Sequence, residues 1–267
     1  MKILICPDAA SARSVAARVL KRQIAKKPSS VLGLATGRTM EAIYQLLVTD
    51  HREKNLDFSS VTTFNLDEYV GLDGLHEQSY RYYMDKYLFS QVNIHANRTH
   101  IPNGAALDAN AEADAYETAI TQAGGIDLQL LGLGQNGHIG FNEPLSSQRC
   151  RTRAVTLAQI TLEQNSEMFG GNQAHVPSRA ITMGIATILE SHAALLVVTG
   201  PAKADIVAQV IEEPVTAMVP GSALQFHPSC LIVLDEDAAS SLCGRSTINW
   251  QMAHDPELTG LVQDHDD

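Results

Sequence analysis

The sequence predicts an α/β fold, a mostly parallel sheet with helices on both faces in a single domain. Strand and helix signals alternate along the chain, and several strands read as apolar runs of the kind that a sheet buries. The residues able to do chemistry also fall just after strand ends, where open α/β sheets bind ligands. With 267 residues the chain is long enough for one large domain of this kind. No Pro/Ser-rich linker and no internal repeat divides it.

The elements follow in order. Lys2 to Cys6 reads as a first strand, and Ala12, Val15, Ala16, Val19, Leu20 and Ile24 mark one face of a helix stopping before Pro28. Ser30 to Leu34 is a second strand. It turns through Thr36-Gly37-Arg38-Thr39 into a helix with Ile43, Leu46 and Leu47 inward. Val61 to Leu66 is a third strand, ending at Asp67 and Glu68. Ala111 to Ala123 is a helix and Ile126 to Leu131 a buried strand. Ala193 to Thr199 and Ser229 to Leu234 are further strands, with the helix Lys203 to Ile211 between them. Residues 157–180 are polar, broken by Gly170-Gly171, and read as a lid or as an ordinary surface helix and loop. Residues 236–267 read as a tail whose acidic end, Asp264 to Asp267, frays.

Composition narrows the function classes. Apolar residues make up 45% of the chain and charged ones 18%, a balance that argues against disorder. A formal charge of −11 argues against nucleic acid or an anionic membrane as partner, since both need a basic footprint. An anionic substrate must then be held by local donors. Cys6, Cys150, Cys230 and Cys243 lack CxxC spacing, so they build no zinc or redox motif. No signal peptide and no run of 18 apolar residues is present, and the expected location is cytoplasmic.

Three motifs stand at the strand ends. Gly132 to Pro144 reads Gly-Leu-Gly-Gln-Asn-Gly-His-Ile-Gly-Phe-Asn-Glu-Pro and sets His138 five residues from Glu143 in a glycine-rich turn. A carboxylate at that spacing can hold a histidine charged or fix its tautomer. The letters Gly132-x-Gly134-x-x-Gly137 match a dinucleotide fingerprint. The match then fails: Gly140 and Pro144 stand where its helix should begin, and no acid sits near the expected ribose position. Thr36-Gly37-Arg38-Thr39 suits either phosphate binding at a helix start or plain helix capping. Asp67 is placed as a general base or as a solvated capping acid.

With these residues in place the chain resembles the glucosamine-6-phosphate deaminase/isomerase family, from the first strand to about Leu234. The similarity rests on residues 34–39, Phe-Asn-Leu-Asp-Glu-Tyr-Val-Gly-Leu at 64–72, and His76 with Ser79-Tyr80. Gly-His-Ile-Gly-Phe-Asn-Glu-Pro at 137–144, Arg-Thr-Arg at 151–153 and Thr-Gly-Pro-Ala-Lys at 199–203 complete it. The resemblance implies a modified doubly wound, Rossmann-like sheet. It also implies aldose-ketose isomerisation with deamination of a 2-amino-2-deoxyhexose 6-phosphate, with neither metal nor organic cofactor. On this resemblance Asp67 is the base between C2 and C1, and His138 assists ring opening, with Glu143 as its tuning partner and Asn136 orienting it. Thr36, Gly37, Arg38, Thr39, Gly137 and Lys203 bind substrate and phosphate. The implied partner is a small amino-sugar phosphate, and a homo-oligomer is compatible with the pattern.

Four departures from the family pattern bear on this. Asn136 stands where some members have aspartate; it can orient His138 but adds no charge. Arg38 and Met40 replace a glycine and a proline of the phosphate loop. Glu167 takes the lid position of a phosphate-binding arginine, with Arg38 expected to restore the lost charge. Ser146, Arg151 and Arg153 match an allosteric site in which Val155 replaces a lysine. Because galactosamine-type members diverge in the same lid stretch, the C4 epimer stays open. Lactonase-like hydrolysis and a non-catalytic sugar-phosphate sensor are the competing classes; the first needs no carbon-to-carbon proton shuttle, and the second goes with a DNA-binding domain and basic charge.

Overall fold

The computed structural model describes residues 1–263, so the predicted frayed end, Asp264 to Asp267, lies outside the described residues. Strand β1 (Lys2–Cys6) leads into α1 (Ala9–Lys26), whose first turn is capped by Asp8 accepting from the Ser11 N–H at 2.7 Å. Strand β2 (Val31–Leu34), α2 (Arg38–Lys54) and β3 (Thr62–Asn65) follow. Then come β4 (Asp67–Tyr69), α3 (Tyr80–Tyr87), β5 (Thr99–His100), α4 (Ala109–Gln122) and β6 (Leu128–Leu131). The second half runs β7 (Arg153–Thr156), α5 (Gln159–Asn165), β8 (Arg179–Thr182), α6 (Ile185–Leu189), β9 (Ala194–Val198), α7 (Ala204–Glu212) and β10 (Cys230–Asp235). Helices α8 (Arg245–His254) and α9 (Pro256–Gln263) end the described chain.

Seven strands form one sheet in the order β1-β10-β9-β6-β2-β3-β5, and every pair in it is parallel. The central strands are buried along their whole length, as expected of a sheet covered on both faces. The predicted α/β alternation is therefore the fold.

Two expectations need correction. The third strand does not run on to Asp67: β3 stops at Asn65, and Asp67–Tyr69 is a separate strand. That strand joins a second, antiparallel sheet, β4-β8-β7, with Asp67 opposite Thr182. The three residues of β4 are too few to show an alternation, and unlike the four-residue strands of the main sheet they form no apolar run. The described part of the supposed tail contains two helices seated on the core, with Ile248, Leu258 and Leu261 buried. Arg22 adds a hydrogen bond from α1 to the Gly260 carbonyl at 3.0 Å. The polar stretch 157–180, read as a lid or as an ordinary surface helix and loop, contains α5, a 3-10 turn (Ser166–Phe169) and the start of β8, with Leu157, Thr161, Val176 and Ala180 buried. Among the described residues no helix is long and apolar enough to cross a membrane.

Candidate active site

Four neighbouring strands, β9, β6, β2 and β3, send their carboxyl ends to one edge of the sheet. The segments leaving them carry the predicted residues. The loop after β6 holds Asn136, Gly137, His138 and Glu143; the turn after β2 holds Thr36 to Thr39. Asp67 follows β3, and Lys203 follows β9.

In the loop, His138 Nδ1 faces Glu143 Oε2 at 3.2 Å, and Asn136 Nδ2 donates to the same oxygen at 2.7 Å. Asn136 also accepts from the His138 N–H at 3.2 Å. The other carboxylate oxygen of Glu143 accepts from Thr161 Oγ1 at 2.6 Å and from the Ala158 N–H at 3.3 Å. Burial by itself would raise the pKa of Glu143, but His138, Thr161 and Asn136 outweigh it and hold the pKa down at about 2. Glu143 is thus anionic at neutral pH and keeps the proton on Nδ1, which leaves Nε2 to exchange protons.

The glycines of the loop make room for the side chains of His138, Thr182 and Asp67. A Cβ on Gly134 would fall 2.3 Å from His138 Nε2, inside the imidazole. At Gly140, which has a φ of 57°, a Cβ would meet Thr182 Oγ1 at 2.9 Å and Asp67 Oδ2 at 3.5 Å. Gly137, expected at the substrate, has a φ of 81°, and a Cβ there would strike Val219 at 2.8 Å. Chain packing alone accounts for this glycine.

Asp67 is 6% exposed and lies beside Gly140, across β8 from Thr182, whose hydroxyl accepts from the Phe141 N–H at 2.9 Å. Burial, reinforced by the Glu68 carboxylate, pushes Asp67 up to about 8. Glu68 does a different job. It accepts from the N–H groups of Tyr69 at 2.8 Å and of Tyr80 and Arg81 at 3.0 Å each, the last two being first-turn donors of α3.

Gly37 caps α2 with a φ of 115°, and its carbonyl accepts from Tyr83 Oη at 2.9 Å. Arg38 opens the helix but reaches outward, where its guanidinium pairs with Glu167 on the 3-10 turn. The two residues expected to trade one charge for another are in direct contact. Lys203 is half-buried and donates to the Leu133 carbonyl at 2.8 Å, so it borders the His138 loop. Burial lowers it to about 8. Three residues before it, the N–H of Gly200, which has a φ of 90°, donates to both carboxylate oxygens of Asp235 at 3.0 Å.

Sequence reasoning missed Thr161 and Asp235. Both act through long-range hydrogen bonds, which leave no local pattern. Among the described residues no group of three or more His, Cys, Asp or Glu side chains is arranged as metal ligands.

A parallel sheet that brings a buried carboxylate, a histidine–carboxylate pair and a lysine to its carboxyl edge defines an α/β enzyme built for proton transfer on a small anionic substrate. The chain belongs to the family described as glucosamine-6-phosphate isomerases/6-phosphogluconolactonase, whose model matches residues 8–232. A curated relative from Cellvibrio japonicus (strain Ueda107), named glucosamine-6-phosphate deaminase, is 50% identical over 242 residues, covering 91% of this chain and 92% of its own. A solved structure described as a monomeric glucosamine-6-phosphate deaminase superposes with a TM-score of 0.88 at 42% identity, covering 90% of this chain and all of that one. The 6-phosphogluconolactonase from Trypanosoma cruzi superposes with a TM-score of 0.75 at 19% identity, covering 91% of this chain and 97% of its own; it shares the fold.

Proposed function

We propose that the chain converts glucosamine 6-phosphate and water to fructose 6-phosphate and ammonia. The observation that carries this reading is the pairing of Asp67, buried and raised to about 8, with a His138–Glu143 pair on the loop against it. Lactone hydrolysis needs no base between two carbons, whereas isomerisation does. The names of the relatives that span more than nine-tenths of the chain support the same choice.

In this mechanism His138 opens the ring. Its Nε2 takes the proton of the C1 hydroxyl and returns it to the ring oxygen as the C1–O5 bond breaks, leaving the C1 aldehyde. Ionised Asp67 then removes the C2 proton; the pair left behind forms C1=C2 while the C1=O π pair takes a proton from the C2 ammonium at O1, giving the enolamine. Asp67 gives its proton back at C1 and the nitrogen becomes a C2 iminium; water adds to C2, a proton passes from that oxygen to the nitrogen, and the C–N bond breaks to release ammonia and leave the C2 ketone. Atoms balance as one water in and one ammonia out. Glu143 stays anionic throughout and stabilises the imidazolium while it exists.

Phosphate is held by Lys203, the N–H groups at the start of α2, and Arg38. The Arg38–Glu167 pair is 85% and 70% exposed at its two side chains, and such pairs contribute roughly 0–1 kcal/mol. A phosphate dianion can therefore displace Glu167 and take a bidentate grip on the guanidinium. On this view Arg38→Ala raises KM for the phosphorylated substrate about fivefold or more. An unchanged KM would remove Arg38 from the site. The cytoplasm suits this reading, since Cys6 and Cys230 are buried free thiols.

The deciding experiment is ammonia release from glucosamine 6-phosphate, with galactosamine 6-phosphate and 6-phosphogluconolactone run alongside. Release from the first substrate is expected. Faster release from the second would change the sugar, and lactone hydrolysis without ammonia would overturn the reading.

A further inference from the structure

Glu143 is gripped along both edges of its carboxylate. Oε2 serves His138 and Asn136, both from its own loop. Oε1 serves Thr161 and the Ala158 N–H, which belong to α5 and the residue before it. A carboxylate held at one oxygen can pivot about that contact; one held at both has a fixed plane. Thr161 is 1% exposed, so water does not compete for its hydroxyl. Its bond to an anion is of the strong, charge-assisted type.

We propose that Thr161 is a positioning residue for the His138–Glu143 pair: its hydroxyl sets the plane of the Glu143 carboxylate, so that Oε2 meets Nδ1 and Nε2 remains the exchanging nitrogen. This rests on the reading of that pair as the ring-opening group. The placement of Thr161 has a further consequence. Asn165, one turn along α5, donates to Tyr69 Oη at 2.8 Å, and Phe169 on the following turn meets the Tyr69 ring edge-on at 5.6 Å. Glu167 on that turn reaches Arg38. One short segment thus touches the strand of the base, the phosphate turn and the ring-opening pair, and Thr161, beside the Ala158 N–H, is its side-chain connection to the third.

The test compares Thr161→Val with Thr161→Ser, with Thr161→Ala as a second hydroxyl-free variant should the valine be poorly accommodated. Outer-shell hydrogen bonds of this kind are typically worth about 10- to 100-fold in activity. Valine is expected to lower kcat by about that factor with KM within about threefold, and serine to restore kcat to within about threefold of wild type. In a Glu143→Gln background the same valine costs nothing further. A readout free of turnover is the nitrogen-15 signature of the His138 ring at a pH where it is neutral. The wild type shows the proton on Nδ1, and the valine variant a tautomer mixture. The proposal is overturned if hydroxyl-free variants keep full kcat, if serine is as slow as valine, if the losses add in the Gln background, or if the tautomer does not change. Should the wild type release no ammonia, the deaminase reading falls alone, because the ring tautomer still tests Thr161.

Discussion

Asp67 is buried and Lys203 half-buried, and both are drawn toward about 8, from opposite directions. Asp67 works only when ionised, and Lys203 binds phosphate only when protonated. The proposed reaction therefore has kcat/KM rising with pH as Asp67 ionises and falling as Lys203 loses its proton, a bell centred near pH 8. Lys203→Arg is expected to abolish the alkaline limb in a pH–rate profile, because arginine keeps its charge. Asp67→Asn removes the base and is expected to lower kcat by about 100- to 10,000-fold. It should also stabilise the protein. The folded-state value lies above the unfolded one, so between pH of about 4 and about 8 the folded chain retains a proton that the unfolded chain has shed. Burying the group thus costs more as pH rises through that window. The gain in stability from asparagine is expected to be nil below it and to level off above it at about 1–4 kcal/mol, readable from thermal melts at several pH values. Asp67, His138 and Glu143 were legible in the sequence because each sits in a long, unusual string beside a strand end. Thr161 was not, since nothing near it in the chain shows that its hydroxyl ends at a carboxylate 18 residues away.

Helix α3 illustrates the next scale. Its opening N–H groups are satisfied by Glu68 at Tyr80 and Arg81 and by the Ser79 side chain at Tyr82. Glu68 thereby ties β4 to α3 and keeps Asp67, its neighbour, on a rigid strand. Glu68→Ala is expected to cost about 1–3 kcal/mol in urea unfolding, because two buried helix-start donors lose their acceptor. The strand–helix alternation of the main sheet was readable from apolar runs and breakers. The three-stranded β4-β8-β7 sheet was not, because each strand is short and its partners come from opposite halves of the chain. The same gap hid the purpose of the loop glycines. The letters showed a glycine-rich turn and a failed dinucleotide fingerprint, whereas Gly134 and Gly140 clear His138, Thr182 and Asp67, side chains placed by tertiary structure.

The whole molecule carries a net charge of −11, yet its candidate phosphate contacts are a half-buried lysine, an arginine and helix-start N–H groups. Local donors set the specificity against an unfavourable global field. Stability depends on distant parts of the chain. Leu258 is 1% exposed in α9, which packs on α1, and Leu258→Ala is expected to cost about 2–4 kcal/mol with kcat unchanged. A comparable loss of kcat would mean that α9 reaches the site.

The strand order has a consequence for how the chain is made. Strand β10 lies between β1 and β9, so the first strand to leave the ribosome finds its neighbour only when the last one is complete. Until then β1 has no partner in the sheet, and the growing chain must keep that apolar strand from pairing elsewhere. Folding of the large sheet therefore waits for β10, with α8 and α9 still to follow, and a product cut short before Cys230 leaves β1 unpaired.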